Sequence, residues 1–171
     1  MGIDKNKPEK QQRNQTGSPI LEEGDILLNT TLAETSDWQQ VDLPVVSTLR
    51  HFCIETLSSY TEDNQACISE VDLLDDKGQP IDKTKWEVVY VSSEQADKNL
   101  GIAENLFDGD ISSFWHTDPA TEPGQPHRII VDIKEIYKIS ALRFKVRKGA
   151  FLSGKVKEIN VYGRPQFFLF H

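Results

Sequence analysis

Residues 103–118, AENLFDGDISSFWHTD, bring oxygen ligands, an indole and an imidazole together in one short loop. Asp108 and Asp110 flank Gly109, and glycine readily adopts the positive φ of a tight turn. Two serines and a Trp-His-Thr sequence follow directly. Such a loop could hold a metal ion, bind a ligand, catalyse a reaction or simply turn the chain.

The composition of the whole chain disfavours several classes of function. The chain has 171 residues, a hydrophobic fraction of 37% and a formal net charge of -8, which suit one domain of ordinary size with its own core. Nucleic acid and anionic membranes are disfavoured as partners, because phosphate binding requires a dense basic face. No apolar run approaches the ~20 residues that a membrane-spanning helix requires.

Outside this loop, the sequence pattern predicts short strands separated by turn residues. Residues 50–58 alternate in the period of two that is typical of a strand. The other strand-like runs are 38–46, 66–74, 86–93, 127–133, 138–147, 155–163 and 166–171. Their β-branched and aromatic residues predict an all-β domain over residues 20–171, a β-sandwich or jelly roll. Residues 1–19 are polar and without period, which predicts a disordered tail or linker.

The two cysteines, Cys53 and Cys67, are too few for a disulfide framework. Two buried thiols are the favoured interpretation. A single bridge across neighbouring strands is the alternative.

Several motifs between Trp86 and Gly163 occur in the order of a known family. They are WEVVYVSSEQ, GIAENLFDGDISSFWHT, QPHRIIVDI, YKISALRFKVRKG and GKVKEINVYG. This order resembles the discoidin-like superfamily, also called the coagulation factor V/VIII type C domain, and within it carbohydrate-binding module family 32. The resemblance covers about half of the chain and implies a jelly-roll β-sandwich of the galactose-binding-domain-like type.

Residues 50–74, RHFCIETLSSYTEDNQACISEVDLL, depart from the family order. They resemble the family's closing strands with their A.I.E motif, yet they precede Trp86. Either the end of a previous domain precedes the module, or the sandwich is circularly permuted. Fewer than 50 residues precede Arg50, too few for a whole domain, so permutation is favoured. Permutation is physically feasible because the termini of a compact domain often lie close together.

The resemblance implies one structural calcium ion in the loop. The implied ligands are the carbonyl near Asn105, then Asp108, Asp110 and Ser113, and finally Glu70 from the permuted A.I.E motif. Calcium takes six to eight oxygen ligands, and many of these are carbonyls. The alternative is a plain turn whose aspartates are solvated.

The resemblance also implies a galactose-like sugar as ligand, held at the loop tips by Glu94, His116 and Arg147. A sugar site needs polar groups that match the hydroxyls and one aromatic platform for the apolar C–H face. Phe151 is the first choice for the platform and Phe114 the second. Trp115 is expected to pack inward.

No catalytic motif accompanies these residues: there is no glycine-rich phosphate loop, no nucleophile elbow and no His-x-x-x-His or Cys-x-x-Cys spacing. We therefore expect a non-catalytic carbohydrate-binding module, with two alternatives: a protein-interaction or adhesion domain using the same loops, and a hydrolase accessory domain without a ligand of its own. Because relatives of this fold are mostly extracytoplasmic, the resemblance favours an extracellular or cell-surface location, although residues 1–19 contain no apolar stretch of a secretory signal. The chain is also a candidate for one part of a larger multidomain protein.

Overall fold

The two longest strands each join two of the strands predicted from the sequence. In the computed structural model, which describes residues 17–61, 63–120, 124–147 and 154–171, the runs 38–46 and 50–58 form one strand, and 127–133 and 138–147 form another. All pairings between named strands are antiparallel. The predicted all-β jelly-roll class is confirmed.

The strands are β1 (Pro19–Ile20), β2 (Ile26–Thr31), β3 (Gln39–Thr56), β4 (Cys67–Ile68), β5 (Glu70–Asp75), β6 (Glu87–Val91), β7 (Trp115–His116), β8 (His127–Lys145), β9 (Glu158–Arg164) and β10 (Leu169–Phe170). Short 3-10 helices lie at Glu23–Asp25, Asp97–Asn99 and Ala103–Phe107. None of the helices within the described ranges has the length and apolar character needed to cross a bilayer.

Strand β8 organises the main sheet, whose order is β2-β9-β3-β8-β5 with β6 also paired to β8. The first half of β8 lies between β3 and β6, and its second half lies between β3 and β5. Register shifts interrupt the β3–β8 pairing between Asp42 and Ser47 and between Leu49 and His51. Bulges of this kind bend strands, and side chains from both halves of β8, such as Val131 and Phe144, belong to one hydrophobic cluster. The sheet therefore folds over a shared core.

The C-terminal third of β3, from His51 to Thr56, is buried on both of its faces. Phe52 and Ile54 point into the main core, whereas Cys53 belongs to a second cluster with Ile130 and Phe168. Phe168 comes from the C-terminal segment, which covers the outer face of the sheet at this point. The period of two places alternate residues on opposite faces, so a second apolar layer explains why consecutive β3 residues are all buried.

Both cysteines of the chain are buried free thiols, as favoured from the sequence. Cys53 lies in the second cluster, and Cys67 pairs with His116 where β4 meets β7. Burial raises the pKa of the Cys67 thiol to about 12, so at neutral pH it is uncharged and a poor nucleophile.

The two ends of the described chain pair with each other. In the ribbon of β1 and β10, Pro19 lies opposite Phe170, and Ser18 and His171 exchange two backbone hydrogen bonds of 3.1 Å. Strand β10 lies within the strand-like run 166–171 of the sequence. Of the predicted tail, residues 17–19 belong to the folded domain, and residues 1–16 lie outside the described residues.

Candidate functional site

Glu70 contacts the loop Asp108-Gly109-Asp110, called the DGD loop below, as the permuted order requires. It begins β5, and its Oε2 accepts a hydrogen bond of 3.0 Å from the backbone N–H of Gly109. Strand β5 reaches this position because it pairs with the second half of β8, with Glu70 opposite Lys145. A residue that precedes Trp86 in the sequence thus lies against the loop that the resemblance assigns to calcium.

Oxygen atoms of the loop converge on the Ser113 hydroxyl. Ser113 Oγ lies 2.5 Å from Asp108 Oδ2 and 3.0 Å from the carbonyl oxygen of Asp110. The Asp110 carboxylate instead accepts hydrogen bonds from the Ser112 N–H and hydroxyl, at 2.9 and 2.6 Å. Asp110 is therefore placed to offer its carbonyl, rather than its carboxylate, to a cation beside Ser113.

The Glu70 carboxylate is buried and only partly satisfied. Burial raises its pKa to about 7, although the Lys83 ammonium and the Gly109 N–H oppose this shift. Its Oε1 is buried without a hydrogen-bond partner among the described residues. A buried carboxylate oxygen without a partner is costly, and a cation bound beside it would remove that cost.

The oxygen set fits calcium, which prefers carboxylate, hydroxyl and carbonyl ligands. In the parts of the chain that the structure describes, no three His, Cys, Asp or Glu side chains are grouped to hold a metal ion. A cation here would therefore take much of its coordination from Ser113 and from backbone carbonyls. The Asn105 side chain stabilises the backbone around the loop, because its amide nitrogen donates to the carbonyls of Leu100 and Phe114 at 3.4 and 3.0 Å.

His116 lies at the end of β7 next to the loop, almost fully buried. Its Nδ1 lies 2.5 Å from the carbonyl oxygen of Thr117, so Nδ1 carries the proton and Nε2 is the acceptor in the neutral ring. Burial lowers the pKa of His116, and the nearby positive charge of Arg147 lowers it further. At neutral pH the ring is therefore uncharged and suited to accept a hydrogen bond from a hydroxyl group.

Arg147 and Phe114 stand beside this histidine. The Arg147 guanidinium lies over the Phe114 ring at 4.2 Å from its centre, and the Phe114 and His116 ring centres are 6.3 Å apart. Both Arg147 and Phe114 are half-buried. The structure thus brings a forked donor, an aromatic ring and an acceptor imidazole together. Phe151, the first choice for the aromatic platform, lies outside the described residues.

Backbone pairing places Glu94 near His116, Arg147 and Phe114. The Glu94 side chain also stabilises the backbone nearby. The N–H of Gln95 donates to the carbonyl of His116 at 2.8 Å. Glu94 Oε1 accepts a hydrogen bond of 3.0 Å from the N–H of Ala103, at the start of the Ala103–Phe107 helix. Trp115 is fully buried, as expected, and its indole N–H donates to the Ser93 carbonyl at 2.9 Å.

Asp63 is a residue of this region that the sequence did not reveal. Its Oδ2 accepts from the N–H of Gly154 at 3.1 Å, and its Oδ1 accepts from the Thr61 hydroxyl at 2.9 Å. Its negative charge also acts on His116. Asp63 thus links Thr61 to Gly154. A turn-forming Asp-Asn pair is no specific signal for such a contact.

Gly154 is expected to be intolerant of any side chain. Its φ is +77°, and an added Cβ would lie 3.0 Å from backbone atoms of Ala66 and Cys67. A left-handed alanine costs about 1–2 kcal/mol, and overpacking adds about 1–3 kcal/mol. Gly154→Ala should lower the free energy of unfolding by both contributions, as measured by urea denaturation.

Gly78 offers the matched control, because its φ is also +77° while nothing lies within 4 Å of an added Cβ. Gly78→Ala should therefore lose only the conformational contribution. Equal losses for the two variants would contradict the close seating of Gly154 on the permuted segment.

His127 should make stability depend on pH. It is fully buried, its Nε2 lies 2.6 Å from the Asn64 carbonyl, and burial lowers its pKa despite that bond. Below the unfolded pKa of about 6.5, the unfolded chain binds a proton that the folded chain resists. The contribution of His127 to stability therefore decreases as pH falls, by up to about 1.4 kcal/mol per pH unit.

Urea denaturation of the wild type and His127→Gln between pH 7 and 5 checks this. The stability advantage of the wild type should shrink toward pH 5, while other titrating groups cancel between the two proteins. A difference that is constant across this range would show that His127 titrates normally.

Part of the chain matches a known protein family. The described loop, its histidine and the strands on either side fall within one matched region. Residues 88–166 match the F5/8 type C domain family. The match covers slightly less than half of the chain and confirms the resemblance seen in the motifs from Trp86 to Gly163. Glu70 and β5 precede the matched region.

The chain is also similar to a sialidase from Micromonospora viridifaciens. The two are 33% identical over 84 residues, which are 48% of this chain and 13% of the sialidase. The similarity is therefore confined to a small part of that enzyme. The comparisons thus support a discoidin-like match over residues 88–166, and a carbohydrate-binding or discoidin-type role is the level of function that they support.

Proposed function

We propose that the protein is a non-catalytic carbohydrate-binding module that recognises terminal galactose-like sugars at its loop tips. The observation that carries this proposal is the group of His116, Arg147 and Phe114, in which the guanidinium lies 4.2 Å from the aromatic ring and the two rings are 6.3 Å apart. An acceptor, a forked donor and an apolar ring match the mixed surface of a sugar.

Each residue has its own part in this proposal. Arg147 spans two neighbouring hydroxyls, and Nε2 of His116 accepts from an axial hydroxyl. Glu94 accepts from a third hydroxyl or, through Ala103, fixes the loop behind the histidine. A shallow site with so few contacts binds with millimolar to micromolar dissociation constants, about 4 to 8 kcal/mol.

Calcium is proposed as a structural ion at the DGD loop. Asp108, Ser113, the Asp110 carbonyl and Glu70 would hold it, together with the carbonyl near Asn105. A bound ion would supply positive charge to the buried Glu70 carboxylate and rigidity to the loop that leads into His116. The short oxygen–oxygen distances around Ser113 Oγ support this assignment, as does Glu70 Oε1, which has no partner in the described part of the chain.

Galactose titration followed by NMR tests the sugar proposal. Amide signals near the site, such as those of Thr117 and Gln65, should shift with galactose in a saturable way. Glucose, which differs from galactose in the orientation of one hydroxyl, should give weaker shifts. The absence of saturable shifts with galactose would refute the proposed specificity, and a His116→Ala protein that binds like the wild type would refute the site.

A further inference from the structure

Lys83 places a positive charge beside the proposed calcium ligand. Its ammonium contacts Glu70 Oε2, lies 2.5 Å from Asp72 Oδ1 and donates to the Val71 carbonyl at 3.1 Å. Two carboxylates and one carbonyl are a favourable set of acceptors for the three N–H bonds of an ammonium.

The turn after β5 delivers this lysine. Residues 75–80 reverse the chain, with Asp75 accepting the N–H groups of Lys77 and Gln79. The returning chain then bonds to its own strand through the Ile81 N–H and the Leu73 carbonyl at 3.0 Å. Lys83 follows two residues later and extends back along β5 to Glu70.

The two oxygens of Glu70 are used differently as a result. Oε2 is shared between Lys83 and the Gly109 N–H, whereas Oε1 has no partner among the described residues. Glu70 is 1% exposed, and an uncompensated buried charge is strongly destabilising. Lys83 supplies a charge that compensates Glu70.

We propose that Lys83 is an internal cation that shares Glu70 with calcium and opposes calcium binding. Two positive charges that draw on one carboxylate repel each other. Without calcium, the ammonium therefore holds the loop in its folded arrangement. It also reduces the additional stability that bound calcium gives to the folded protein. This inference assigns Lys83 a positioning role and rests on the proposed calcium site.

The test compares thermal unfolding of the wild type and Lys83→Met, each with excess chelator and with saturating calcium. Without calcium, the variant should melt several degrees lower, because Glu70 and Asp72 lose their counter-charge. With calcium, the variant should recover part of this loss, so that its calcium-induced rise in Tm exceeds that of the wild type. Calorimetric titration should show several-fold tighter calcium binding by the variant.

A purely structural lysine would lower the melting temperature equally with and without calcium, and this result would overturn the proposal. Lys77→Met, in the exposed part of the same turn, should leave both melting temperatures and the calcium response unchanged. Lys83→Arg, which keeps the charge, should retain a calcium response close to that of the wild type. Lys83→Gln replaces Lys83→Met if the latter fails to fold.

Failure of the underlying calcium proposal has a different signature. A wild type and a Lys83→Met protein that both ignore calcium would refute the calcium site itself. A wild type that responds to calcium, with an equal response in the variant, would refute only the role of Lys83.

Discussion

Arg147→Ala should weaken galactose binding by about 10- to 100-fold, which places a site of millimolar affinity beyond detection. A hydrogen bond to a charged group contributes about 1.5–3 kcal/mol, and the guanidinium has two such bonds to offer to neighbouring hydroxyls. The substitution also removes the cation that lies over the Phe114 ring at 4.2 Å. NMR titration with galactose measures the loss.

Arg143 provides a matched control for this variant. Its guanidinium lies over the Trp38 ring at 4.7 Å, in an arrangement that resembles that of Arg147 and Phe114. Arg143 belongs to the part of β8 that pairs with β5, opposite Asp72. Arg143→Ala should lose a similar cation–π contact and keep galactose binding. Comparable losses of binding in both variants would show a general effect on the sandwich rather than a sugar contact.

Glu70→Gln should abolish the effect of calcium on the melting temperature and lower stability even without calcium. The glutamine keeps the shape of the side chain and can still accept from the Gly109 N–H, but it leaves Lys83 with one counter-charge fewer. The expected loss without calcium is small, about 1 kcal/mol, because Lys83 keeps Asp72 as a counter-charge and burial already disfavours the charged form of Glu70. Thermal unfolding with chelator and with calcium measures both effects.

Substitution of Glu55 tests whether the loss of the calcium effect on Tm is specific to Glu70. It is a second buried glutamate with a cationic partner, since its Oε2 lies 2.7 Å from Arg128 Nε. Glu55→Gln should destabilise the protein and leave the calcium-induced rise in Tm unchanged. A calcium response that survives in Glu70→Gln would place the ion elsewhere or exclude it, because a bound ion must stabilise the folded state by mass action.

The strands were predictable because their side chains alternate, whereas the joining of strands was not. Residues 38–46, which include Pro44, and residues 50–58 predict two separate strands, and proline cannot donate to a ladder. In the structure β3 continues through Pro44, because the register shift between Asp42 and Ser47 accommodates a residue without an N–H. Whether a bulge or a strand end follows depends on the partner strand, which local sequence does not specify.

The candidate site was predictable where its residues lie close together in sequence. The DGD loop and His116 form one motif, and Glu70 belongs to a second motif that the family order relates to the first. Asp63 and Lys83 were missed, because their roles depend on contacts with Gly154 and Glu70 that only the fold creates. An isolated aspartate or lysine carries no periodicity and no spacing from which such a partner could be inferred.

The ribbon formed by β1 and β10 has a mechanical consequence. Because Ser18 and His171 are bonded to each other, a pulling force applied to these two ends acts first on a ribbon of two residue pairs. When two antiparallel strands are pulled apart from one end, their hydrogen-bonded pairs break one at a time, so the force needed is low. The ribbon would therefore yield at low tension, before the load reaches the long strands that support the recognition loops.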